Sequence, residues 1–213
     1  MDKNCQTYQA YIEILRRELI PAMGCTEPIA IAYGAAKARA ALGALPDQIT
    51  VAASGNIIKN VKSVIVPNTD GRKGIEVAAA IGALAGDPSA ELEVIAHVRP
   101  ESRATLGQYL DDTKIQVRAA QSPHVLDIAI SVQKGLDTAT VQIVNKHTNI
   151  VRITRNDKVL FEKEIIATAD TGKPDYDCMT IEDIYDFAMT ADLSDVQRSE
   201  EHTSELQSHS GIS

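Results

Sequence analysis

Tryptophan is absent from this 213-residue chain and phenylalanine occurs twice. There is no run of Lys and Arg either, so the basic surface and stacking aromatics of a nucleic-acid-binding protein are missing. No stretch reaches the ~20 uninterrupted apolar residues that a membrane span requires. The first residues, MDKNCQTYQAYIEILRREL, are amphipathic and charged, unlike a signal peptide. The three cysteines, Cys5, Cys25 and Cys178, lie too far apart for a disulfide framework or a local zinc knuckle. What is present is ordinary: 44% apolar residues and a net charge of -8. The expectation is a soluble, acidic, cytoplasmic protein of one large or two small domains.

Periodicity orders the chain into helices followed by strands. Residues 5–20 place Tyr8, Tyr11, Ile12, Leu15 and Leu19 on one face, ending at Pro21. Thr26 is expected to cap a second helix through IAIAYGAAKARAAL, stopped by Gly43. ITVAAS (49–54) and VKSVIVP (61–67) read as strands around GNIIKN, and IEVAAAIGALAG (75–86) reads as another Ala-rich helix. Alanine in both helices suits a close approach of backbones. Asp87-Pro88 and Pro100-Glu101 look like two further helix starts. From Lys114 the segments IQVRAA, VLDIAISV, ATVQIVN, NIVRITR and KVLFEKEI are short, β-branched and often alternating. Thr180 to Asp183 offers a capping box before IYDFAMTA. The fold class expected is α+β (mixed α/β): Ala-rich helices with short strands, then a mainly antiparallel sheet.

After Val196 the composition changes. RSEEHTSELQSHSGIS has no helical or strand period. It reads as a disordered polar terminus, and RSEEHTSELQS resembles the translation of a sequencing-library adapter. The expected division is therefore a natural domain at 1–197 and an adapter-derived tail at 198–213, the natural protein continuing beyond Gln197.

Chemistry concentrates in AMGCTEPIA. Cys25 precedes a helix, where free N–H groups and the dipole favour an anion and are expected to lower the thiol pKa. A small buried hydrophobe is the competing reading. Glu27 also suits the dipole without further function. In SGNIIKN, a locally helical turn would let Asn56, Lys59 and Asn60 converge as donors on a carboxylate, although the spacing favours a plain polar turn between strands. Lys59 alone is weak grounds for a pyridoxal phosphate enzyme. His147 and Thr148, in NKHTNIV, bunch where a loop histidine can serve acid–base chemistry or bond the turn. NTDGRKG lacks the phosphate-loop pattern. His97 and His124 read as structural or surface residues.

GCTEP ahead of an Ala-rich helix, SGNIIKN, VIVPNTDGRKGIEVAAAIGALAG and HTNIVRI together resemble the L-cysteine desulfidase family, over roughly residues 8–190. That family is related to the alpha part of iron–sulfur L-serine dehydratases. The resemblance implies a lyase that eliminates hydrogen sulfide from L-cysteine, or water from L-serine, giving pyruvate and ammonia. It implies Cys25 as the proton-abstracting base and a [4Fe–4S] cluster whose cysteine ligands lie in a C-terminal half beyond this chain. No metal ligand is assigned here, so the chain by itself is expected to be inactive. Lys59, Asn56 and Asn60, with His147 and Thr148, are the substrate-binding candidates. The implied partner is a small amino acid, with room for homo-oligomer formation and no nucleic acid or membrane. The alternative is a non-catalytic regulatory or small-molecule-binding domain of the same fold.

Overall fold

The computed structural model describes residues 1–19, 22, 24–165 and 176–196. They belong to two compact units. One is Ala22–Ile165; the other joins Met1–Pro21 with Ile166–Ser213. The expected tail at 198–213 lies outside the described residues.

The larger unit is built around α2 (Thr26–Leu42), whose side chains from Pro28 through Ala36 are all buried. A helix apolar on every side can only be stable in an interior. Gly43, at φ 80°, ends it in the left-handed conformation, as its sequence position predicts. The sheet contains β1 (Gln48–Ala53), β2 (Lys114–Ala119), β3 (Asp127–Lys134), β4 (Asp137–Val144), β5 (Ile150–Arg155) and β6 (Lys158–Glu162). Their order is β2-β1-β3-β4-β5-β6. β1 and β2 run parallel, whereas every other neighbouring pair is antiparallel. The fold is α+β. Helix α2 packs over β3, β4 and β5, and α4 (Ile75–Ala85) packs against both α2 and the β1–β2 edge. α5 (Pro100–Asp112) follows at the expected Pro100 start and lies against α4.

Four local expectations are corrected. GNIIKN is a helix, α3 (Gly55–Val61), rather than a polar turn. Residues 61–67 consequently form no sheet strand. Left-handed backbone at Asn68, Asp70 and Gly71 folds this segment back on itself. Val66 N–H then bonds Arg72 O, and the ladder is limited to one bridge, Ile65 to Lys73. The helix expected at Asp87-Pro88 is reduced to a single 3-10 turn, Glu91–Glu93. Asp87 spends its carboxylate on the backbone and hydroxyl of Ser89, and its N–H bonds Val94 O, closing a loop instead. Finally, the residue preceding α2 in the cap position is Cys25, with Thr26 already helical.

The smaller unit contains α1 (Gln6–Glu18) and α6 (Ile181–Thr190). Tyr8, Tyr11, Ile12 and Ile14 are buried with Phe187, whereas Leu15 and Leu19 are only half-buried. Thr180 caps α6 by accepting from Asp183 N–H, the bond expected from the capping box. Cys5 and Cys178 are half-buried and pack against this cluster. Among the described residues, no helix is long and apolar enough to cross a membrane.

Candidate functional site

The site begins where the chain enters the buried helix α2. Gly24 takes φ 76°, a left-handed conformation suited to glycine, and delivers Cys25 to the cap position. The Cys25 side chain does not cap the helix. Its thiol donates instead to Glu27 Oε2 at 2.9 Å. Glu27 Oε1 accepts from Asn60 Nδ2 at 3.3 Å, tying the head of α2 to α3. One residue from Cys25, Thr26 Oγ1 lies 3.3 Å from His147 Nε2.

Of these residues, Glu27, Asn60 and His147 line a cleft of about 540 Å³. Positions 56, 59 and 60 share a face on a helix, and α3 presents Asn56, Lys59 and Asn60 to the cleft. The opposite wall comes from two loops, one carrying His124 and the other carrying Asn145 and His147. Buried Ser54 pins the first loop, since its hydroxyl donates to Val125 O at 2.7 Å. The loops are joined by Asn145 N–H bonding Leu126 O. Cys25 itself is exposed and meets the cleft through Glu27.

The electrostatics reverse one expectation. Burial pushes the Cys25 thiol pKa up, and hydrogen bonding to Glu27 adds to the rise. A nearby carboxylate disfavours a thiolate, and with the desolvation it outweighs the Glu27 backbone N–H, which acts in the direction that was expected. The Glu27 carboxyl is held below the usual range, first by the thiol's hydrogen bond and further by Asn60. Burial lowers His147, with Glu27 pulling the other way. At neutral pH the geometry therefore holds a thiol, a carboxylate and a neutral imidazole.

The chain is similar to UPF0597 proteins. It is 43% identical over 190 residues to one from Treponema denticola, covering 89% of this chain and 44% of the relative. The corresponding values for one from Desulfitobacterium hafniense are 43% over 197 residues, 92% and 46%. A third, from Finegoldia magna, is 47% identical over 191 residues, covering 88% and 45%. The chain thus spans less than half the length of these relatives. No family model matches the chain. No solved structure matches it either.

Of the residues singled out from sequence, the structure brings Asn56, Lys59, Asn60 and His147 to one cleft, with Cys25 beside it through Glu27. Thr148 does not join them. It lines a separate groove with Lys37, Ile153 and Lys163. His124, read as structural or surface, lines the cleft, as does Asn145. Nothing in local spacing could reveal either one, because their neighbours come from α3, far away in sequence. Glu27 did carry a signal: a carboxylate two residues after a cysteine at a helix entrance can reach that thiol. Among the described residues, no group of three or more His, Cys, Asp and Glu side chains could hold a metal ion.

Proposed function

We propose that the cleft belongs to the active site of an amino-acid lyase, acting on L-cysteine or L-serine. The carrying observation is the Cys25–Glu27–Asn60 chain of hydrogen bonds at the rim of a cleft that also holds Lys59. Support also comes from the motif resemblance to L-cysteine desulfidases.

In the proposed reaction, Lys59, Asn56 and Asn60 donate to the substrate carboxylate and to the negative charge that builds on it. Cys25 first loses its own proton to solvent water. A thiolate formed against a raised pKa is a stronger base than an ordinary one. It takes the Cα proton, forming S–H as Cα–H breaks. That electron pair makes the Cα–Cβ double bond while the β-thiol or β-hydroxyl leaves with the Cβ pair and takes up a proton from solvent water. The aminoacrylate tautomerises to an imine, which water hydrolyses to pyruvate and ammonia. The described residues do not supply the thiolates a [4Fe–4S] cluster needs: Cys5 and Cys178 belong to the smaller unit and Cys25 to the larger. On this reading the cluster's ligands lie outside them.

The test uses the full-length protein carrying this chain. Cys25→Ala should abolish sulfide and pyruvate release from L-cysteine while leaving the melting temperature unchanged. Retained turnover would overturn the base assignment. Absence of turnover in the wild type would favour the second reading, an amino-acid-binding domain in which Cys25 stays protonated, which the thiol's bond to Glu27 supports.

A further inference from the structure

We propose that Glu27 anchors the α-ammonium of a zwitterionic amino acid while Lys59 and Asn56 take its carboxylate. This rests on the amino-acid reading above and adds the residue that selects for the amino group.

Among the described residues lining the cleft, Glu27 is the one acid and Lys59 the one Lys or Arg. They make no ion pair with each other or with any other described residue. Opposite charges that share a cleft without neutralising each other match a ligand carrying both signs. A simple carboxylate would meet repulsion from Glu27, and a simple amine would meet it from Lys59.

Glu27 also has capacity to spare. An ionised carboxylate offers about four acceptor sites, and two are used, by the Cys25 thiol and the Asn60 amide. Its half-buried position makes a charged hydrogen bond stronger than one on open surface. The placement bears on the chemistry. Cα is bonded directly to the ammonium nitrogen, and Cys25 Sγ lies 2.9 Å from Glu27 Oε2. The carboxylate that recognises the ammonium therefore delivers the Cα–H bond to the sulfur.

Calorimetry on the full-length protein carrying this chain tests this with three probes. L-alanine has both charges and no leaving group; propionate lacks the ammonium, and ethylamine lacks the carboxylate. The wild type should bind L-alanine more tightly than either of the others. Glu27→Gln should weaken L-alanine by about tenfold or more, with propionate binding unchanged or tighter, and Glu27→Asp should recover part of the loss. Three results would overturn the proposal: no L-alanine binding by the wild type, no loss in Glu27→Gln, or an equal loss for L-alanine and propionate. The Cys25→Ala turnover measurement reports on the lyase reading separately. Its failure alongside intact ammonium recognition leaves an amino-acid site without the elimination chemistry.

Discussion

Gly82 of α4 lies directly on the backbone of Ala32 in α2: a Cβ added to Gly82 would stand 2.6 Å from Ala32 Cα. Backbone cannot yield as a flexible side-chain end can. Gly82→Ala should therefore destabilise the larger unit by about 1–3 kcal/mol, even though alanine is the better helix former. Gly55→Ala is the control, because a methyl group there would meet no atom within 4 Å. It should be neutral or stabilise by up to about 1 kcal/mol. Urea unfolding of the two variants checks the contrast, and equal stabilities would refute the close packing.

The thiol–carboxylate bond sets the reactivity of Cys25. With the pKa raised by burial and by Glu27, alkylation should be slow at neutral pH. Glu27→Gln removes a negative neighbour, so the midpoint of the pH–rate profile should move down. At pH 7 the rate should rise roughly three- to tenfold. Mass spectrometry after iodoacetamide treatment reads this at Cys25, with Cys5 and Cys178 as references whose rates should not change.

His147 ties stability to pH. Burial lowers its folded pKa below the unfolded value, so the unfolded chain binds the proton more readily. Its contribution is complete above the ordinary imidazole pKa of about 6.5 and is lost as pH falls through the folded value. The wild-type melting temperature should fall across this window, and His147→Gln should flatten that part of the curve. A parallel curve for the variant would count against the assignment.

In the smaller unit, Phe187 meets Tyr8 and Tyr11 with ring centroids 5.1 Å away in each case. Phe187→Ala should cost about 3–5 kcal/mol of local packing. Hydrogen exchange should show lost protection in α1 and α6, with α2 and α4 retaining theirs. Uniform loss across all four helices would contradict the division into two units.

The elements legible in sequence were those with a sustained pattern or a sustained composition. Ala-rich α2 and α4 announced themselves by long runs of apolar helix formers, buried all round, and β3 to β5 by β-branched residues, with alternating burial in β3 and β4. Helix α3 did not, since GNIIKNV is too short and polar to show one, and tertiary contacts decide its state. The candidate residues on α3 and at Cys25 could be named from residue type and turn position. The direction of the Cys25 pKa could not, because it depends first on how far folding desolvates the sulfur and then on a carboxylate oxygen reaching it. His124 and Asn145 enter the cleft only through folding of distant loops, which leaves no local trace.

Helix α2 is enclosed from Pro28 to Ala36, and Cys25 and Glu27 are mounted on its leading end. That mounting divides the cleft into a fixed half and an adjustable half. The backbone that carries the thiol and its carboxylate is anchored to the deepest packing of the unit, so the positions of their Cα atoms are held by the core. Asn56, Lys59 and Asn60 are exposed on a two-turn helix, and His124 and His147 sit on loops. On the proposed function, changes in which ligand side chain the cleft admits can accumulate there at little cost to folding, leaving the helix entrance constant while the choice of ligand varies around it.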